Sequence, residues 1–218
     1  MRRANIQAVF WDFGNVCATF DMKRFTTPFS QHLQVDSAEV GAVLFGHMGY
    51  SPLFRSLECG TVSPCQFYHK LTSALGKADA IDYETFARMW SDIFLRENTE
   101  LCDVLDRIPH CHYLLSNTNE IVRSRYMANS AIVRKHFRAP CAQILSHRVG
   151  AMKPDERIYR EALRSAGIPA SQCLFVDDLP ENILAWKALG GHGVVYNAKH
   201  DSIDDLEHKL AYAGALRI

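Results

Sequence analysis

The chain lacks any excess of charge: Lys and Arg together number 24, and so do Asp and Glu. A balanced chain offers no broad basic face, so nucleic acid and anionic membrane surfaces are not expected partners. Nor is there an apolar run near the roughly 20 residues that a membrane-spanning helix needs. Repeats and low-complexity tracts are absent. No Cys-x-x-Cys pair occurs among the seven cysteines, whose count is odd and spacing irregular. A disulfide framework is therefore not indicated, and a reduced, cytoplasmic chain is the economical expectation. Cys59, Cys65 and His69 lack a fourth ligand at zinc-site spacing. The N-terminus, Met1-Arg2-Arg3-Ala4-Asn5, runs straight into a strand-like segment, so a cleavable leader is not expected.

What is present is an ordinary globular composition, 48% apolar and 22% charged over 218 residues. That length holds one core domain and a modest insertion. Residues 6–11, 112–116, 143–146, 173–177 and 193–196 are short apolar runs. Between the later runs lie helical patterns: Ile158, Ala162, Leu163 and Ala166 after Pro154, then Ile183, Ala185, Trp186 and Leu189. Alternating buried strands and helices predict an α/β fold, a Rossmann-like parallel sheet with helices on both faces.

Residues 21–95 read differently. Ser37 to Gly46 is a helix candidate with a Ser cap. Ser63-Pro64 starts another, closed by Gly76, and Asp82 caps a third. Phe25, Phe29 and Leu33 suggest a fourth, which Pro28 should kink or restart. No strand is evident. The expected division is a core of residues 1–20 and 96–218 with an all-helical cap, 21–95, inserted after the first strand. Such an insertion emerges at the carboxyl edge of the sheet, where these folds bind ligands, and can act as a lid.

Four polar groups carry the chemistry. Asp12 ends the first strand and opens a Gly-containing loop. Ser116-Asn117 ends the second run and can grip an anion. Lys153 precedes Pro154 at a helix start, a sensible place for a cation only if an anion sits beside it. Asp177-Asp178 ends a buried strand, where two adjacent carboxylates call for a cation; Mg²⁺ suits a few carboxylates with phosphate oxygens and water. Each group alone could be turn or cap chemistry, and the case rests on all four occurring in order.

With these motifs the chain resembles a haloacid dehalogenase superfamily hydrolase over its whole length. It is similar above all to bacterial sugar-phosphate phosphatases of the α-D-glucose-1-phosphate phosphatase type. The shared residues are Asp12-Phe13-Gly14-Asn15-Val16, His47-Met48-Gly49, Glu58-Cys59-Gly60-Thr61-Val62-Ser63, Leu115-Ser116-Asn117-Thr118-Asn119, Lys153-Pro154 with Arg157-Ile158-Tyr159, and Asp177-Asp178 with Asn182-Ile183. The resemblance implies that Asp12 attacks phosphorus and forms an aspartyl-phosphate that water hydrolyses. It also implies Mg²⁺ held by Asp12, the Gly14 carbonyl and Asp178, with Asp177 a second acid that ligates it directly or through water. Ser116, Asn117 and Lys153 would hold the phosphoryl oxygens of a small phosphate ester.

One departure stands out. Most phosphatases of the superfamily carry a second aspartate, the general acid and base, two residues after the nucleophile. Here that position is Gly14, as in the resembling subgroup. Losing such a group typically forfeits about two to four powers of ten, so turnover should favour activated esters over simple alkyl phosphates. His47, Tyr50, Arg55 and Glu58 are the cap residues expected to set substrate choice. The alternatives are a 2-haloacid dehalogenase, which would use Asp12 on carbon without metal, and a decayed binding module.

Overall fold

The computed structural model describes residues 5–46 and 49–216. The chain begins with β1 (Ala8–Trp11), β2 (Ala18–Phe20), α1 (Lys23–Leu33), α2 (Ser37–Leu44), β3 (Phe45–Gly46), β4 (Gly49–Tyr50), α3 (Pro52–Glu58), α4 (Pro64–Ala74), α5 (Tyr83–Ser91) and β5 (Phe94–Glu97). It continues through α6 (Glu100–Arg107), β6 (Cys111–Ser116), α7 (Glu120–Val122), α8 (Ala131–His136), β7 (Gln143–Leu145), α9 (Ser146–Val149), α10 (Glu156–Ala166), β8 (Cys173–Asp177), α11 (Pro180–Ala188), β9 (His192–Val195) and α12 (Ile203–Tyr212).

The main sheet has the order β7-β6-β1-β8-β9, with every pairing parallel. Successive side chains of β1 point to opposite faces. Val9 and Trp11 join one apolar cluster with Leu114 and Val176. Ala8 and Phe10 join another with Phe175, Ile158, Tyr159, Ile183 and Trp186. Both faces are covered, which explains why these strands read as unbroken apolar runs. In register, Trp11 faces Leu114 on one side and Val176 on the other. The carboxyl ends of the three central strands therefore finish at one edge.

The segment between β2 and β5 is helical, built on a cluster of rings. Phe25 stacks on Phe29 with centroids 4.7 Å apart, and the Trp90 edge meets Phe25 at 4.7 Å and Phe67 at 5.0 Å. It is not free of strands: Phe45–Gly46 pairs with Gly49–Tyr50. A second antiparallel ribbon, Ala18–Phe20 against Phe94–Glu97, forms where the chain leaves and re-enters the core. Runs of two to four residues are too short for alternation to reveal. The cap of α2 is Asp36 rather than Ser37, its carboxylate accepting from Ala38 N at 2.7 Å. Helix α1 runs unbroken through Pro28 because Phe25, Phe29 and Leu33 are all buried on one face.

One polar pair crosses the sheet's interior. Trp11 Nε1 donates to His112 Nδ1 at 3.1 Å, and His112 Nε2 lies 3.2 Å from Leu105 O. The two contacts suit the neutral imidazole, with Nε2 the donor. Burial lowers the His112 pKa to about 4, with His136 adding to the shift. The neutral form is thus favoured in the fold while the unfolded chain protonates near pH 6.5, so stability is lost as pH falls from about 6.5 through about 4. The loss from this group amounts to about 3 kcal/mol. Denaturant titrations at pH 7 and pH 4 should show that His112→Gln removes this part of the acid sensitivity; an unchanged pH slope would contradict the assignment.

Candidate active site

At the carboxyl edge the strand ends converge on one ammonium group. Lys153 Nζ lies 2.8 Å from Asp12 Oδ1 and 2.6 Å from Asp177 Oδ2. It also donates to Leu115 O at 3.0 Å and sits 5.2 Å from the centre of the Phe175 ring. The side chain is 1% exposed. Burial pulls the lysine down, but Asp12 and Asp177 outweigh it and the net shift is upward.

Lys153 was expected at a helix start beside an anion. Helix α10 instead begins at Glu156 behind the Asp155 cap, and carboxylates from two strand ends neutralise the lysine. Asn117 holds it there: Asn117 Oδ1 accepts from Lys153 N at 2.8 Å and Asn117 Nδ2 donates to Lys153 O at 3.0 Å. That leaves a single amide N–H of Asn117 for a ligand. Ser116 Oγ has a 3.4 Å contact to Asn117 O, long for an O–H···O bond, so its hydroxyl is readily redirected.

The acids differ in their surroundings. Asp12 Oδ1 also accepts from Phe13 N at 2.7 Å. Burial pushes the Asp12 carboxyl up to about 7; Lys153 pulls the other way, and the Asp177 and Asp178 charges add to the rise. Asp177 is fully buried. Its Oδ1 accepts from Leu179 N and Asn182 Nδ2, both at 2.9 Å, and its Oδ2 from Lys153. Three donors leave it little capacity for anything further. Asp178 is half-buried, with Oδ2 accepting from Asn15 Nδ2 at 3.0 Å. Burial raises its carboxyl too, against the Asn15 hydrogen bond. Asp12, Asp177 and Asp178 each offer an oxygen within 4.8 Å of the others. One ammonium cannot balance three carboxylates, and this all-oxygen donor set fits a hard divalent cation.

Gly14 stands where an acid is usual for the resembling superfamily, and Phe20 accounts for it. A Cβ at Gly14 would lie 2.9 Å from the Phe20 ring, so an aspartate would need that ring to move. Asn15, given no role from the sequence, takes φ +54° and reaches Asp178; an Asn after Gly in a loop is the signal that marks it. No cluster joins Cys59, Cys65 and His69 among the described residues.

A pocket opens between cap and core. Gly14, Ser116, Asn117 and Thr118 line it from the core, and Tyr50, Phe54, Glu58 and Trp90 from the cap. Two of the expected cap residues, Tyr50 and Glu58, are thus at the cavity. Arg55 is exposed and not part of its lining, and His47 lies outside the described residues. Glu58 is buried and accepts from Asn119 Nδ2 at 2.6 Å, joining cap to core. Asn119 had no separate role from the sequence.

No family model matches the chain. A D-ribitol-5-phosphate phosphatase of Bacteroides thetaiotaomicron is 26% identical over 189 residues, covering 85% of this chain and 89% of the relative. Among solved structures, a haloacid dehalogenase family enzyme of the same organism superposes with a TM-score of 0.80 at 22% identity, covering 92% of this chain and 98% of that one. It was crystallised as an Asp→Ala mutant with magnesium and inorganic phosphate. A haloacid dehalogenase-like hydrolase from Porphyromonas gingivalis gives 0.75 at 24% identity, covering 95% and 98%. A 2-haloacid dehalogenase from Pseudomonas syringae gives 0.60 at 16% identity, covering 90% and 89%. These likenesses bear on the fold and do not reach the α-D-glucose-1-phosphate phosphatase subgroup. The chain thus shares the fold of haloacid dehalogenase family enzymes.

Proposed function

We propose that the protein is a magnesium-dependent phosphatase acting on a small phosphorylated metabolite, a sugar or polyol phosphate. The observation that carries this reading is the Asp12 carboxylate, held 2.8 Å from the buried Lys153 ammonium inside a three-carboxylate cluster. A relative that hydrolyses ribitol 5-phosphate and a structural neighbour that holds magnesium and phosphate support it.

Asp12 and Asp178, with the Gly14 carbonyl, would hold the Mg²⁺, while Asp177 keeps Lys153 in place. The cation supplies positive charge where a carboxylate must meet a phosphate dianion. An Asp12 oxygen attacks phosphorus, the bond from phosphorus to the ester oxygen breaks, and the leaving oxygen takes a proton from solvent water. Water then attacks phosphorus, the bond to Asp12 breaks, and inorganic phosphate departs. Lys153, Ser116 and the spare Asn117 N–H are donors for the phosphoryl oxygens. Charge neutralisation and positioning are most of what this reaction needs. With Gly14 supplying no acid, esters whose leaving oxygen is already stabilised should turn over faster.

The carboxylate cluster is what favours a phosphatase over a haloacid dehalogenase, since a metal-free reaction leaves three acids with the Lys153 ammonium as their one cationic partner among the described residues.

Two measurements check the proposal. Thermal melts should show Mg²⁺ stabilising the protein, by about 3 kcal/mol at a hundredfold excess over Kd. Asp178→Asn should abolish that gain, and identical melts with Mg²⁺ and with chelator would contradict the metal site. A phosphate-release screen over sugar, polyol and aryl phosphates should show turnover with Mg²⁺ and none with chelator. Asp12→Asn should lower it at least about a thousandfold. Halide release from haloacids that survives chelation would favour the dehalogenase instead.

A further inference from the structure

The loop after β1 turns on one asparagine. Asn15 has φ +54°, in the left-handed region. Its backbone is held on both sides: Asn15 N donates to Ala18 O at 2.8 Å, and Asn15 O accepts from Ala198 N at 2.7 Å. Its side chain spans two more segments. Nδ2 donates to Asp178 Oδ2 at 3.0 Å. Oδ1 lies 3.4 Å from Phe20 N, at the outer limit of a hydrogen bond. A carboxylate can only accept and a backbone N–H can only donate, so these two neighbours settle which way the amide is turned.

Few residue types fit this place. Gly, Asn and Asp take a positive φ most readily. Gly has no side chain to offer Asp178. Asp would set a second acceptor against it and add negative charge beside three carboxylates and one ammonium. Of the three, Asn alone accepts the backbone angle and donates an N–H. Its bond to Oδ2 fixes the rotation of the half-buried Asp178 carboxylate. The backbone of Asn15 has a second consequence. The Gly14–Asn15 peptide is trans, since Lys153-Pro154 is the one cis bond among the described residues. In a trans peptide the N–H and the preceding C=O point in opposite directions. With the Asn15 N–H committed to Ala18 O, the Gly14 carbonyl faces away from Ala18. It also takes no part in the Gly14–Ala18 bridge, whose hydrogen bonds use the Phe13 and Ala18 carbonyls.

We infer that Asn15 is the positioning residue of the metal site: its side-chain amide orients Asp178 and its backbone N–H orients the Gly14 carbonyl, two of the three groups assigned above to Mg²⁺. This rests on that assignment. Asp12, the third group, is oriented separately, by Phe13 N at 2.7 Å and Lys153 Nζ at 2.8 Å. Asn15 acts through the ligands and not on the substrate. Removing a hydrogen bond behind a ligand typically weakens metal affinity by about ten- to a hundredfold.

Calorimetric titration of the full chain with Mg²⁺ alone tests this. Asn15→Gly keeps the backbone angle, and with it the Gly14 carbonyl, and loses the donor to Asp178; it should raise the Mg²⁺ Kd about tenfold. Asn15→Ala loses the donor and also sets a Cβ against the positive φ, so its Kd should rise further. Melts in chelator read folding separately: a merely structural role would lower the melting temperature and leave Kd unmoved. A third readout needs no variant. In the wild type, the NMR signals of the Asn15 side-chain amide should shift as Mg²⁺ is added and saturate with the calorimetric Kd. A wild-type Kd in Asn15→Gly, or amide signals that stay still while Mg²⁺ binds, would overturn the positioning role. A wild type that binds no Mg²⁺ would overturn the metal site itself.

Discussion

A lysine ammonium held between two strand-end carboxylates is the constraint on which the site depends. Lys153 reaches Asp12 at the end of β1 and Asp177 at the end of β8, and its third hydrogen bond goes to Leu115 O in β6. Three strands are thereby tied at one edge. A buried cation is tolerable only when its charge and donors are answered, so loss of either acid would disturb the position of the others. Asn117 and Asn182 complete the frame, one bracketing the lysine backbone and the other holding Asp177. The result is a rigid cluster with more negative charge than its one lysine balances, which is the electrostatic form of a cation site.

The cap is joined to this frame through both apolar and polar contacts. Phe94 stacks on Tyr126 with centroids 3.9 Å apart, and Phe13 meets the Phe94 edge at 5.4 Å. The Glu58–Asn119 bond adds a polar tie. Gly60, at φ +65°, lets the chain after α3 pass against the His147 carbonyl, where a side chain would collide. These contacts bring the aromatic core of the cap over the sheet edge, where the two together line one pocket. Phe20 serves both purposes, since it lines that pocket and occupies the space beside Gly14.

Much of this was legible in the sequence. The central strands announced themselves because they are buried on both faces; Asp12, Asp177 and Asp178 could be picked out because they close such strands, and Lys153 because it precedes a helical pattern. The short ribbons were not legible, since β3 and β4 have two residues each and carry no period. The partners of Lys153 were hidden as well: its place before Pro154 suggested a helix terminus, while its contacts come from strands that meet only in the folded sheet. The Asn15–Asp178 and Glu58–Asn119 bonds depend on packing between segments distant in the chain. No local pattern encodes them.

The central claim is that Asp12 becomes covalently phosphorylated, and acid-quench trapping tests it most directly. Enzyme mixed with substrate and Mg²⁺, quenched within one turnover and digested, should yield the peptide containing Asp12 carrying one phosphoryl group. The Asp12→Asn protein should yield none. Steady turnover with no phosphopeptide, or with the phosphoryl group on another residue, would contradict the account.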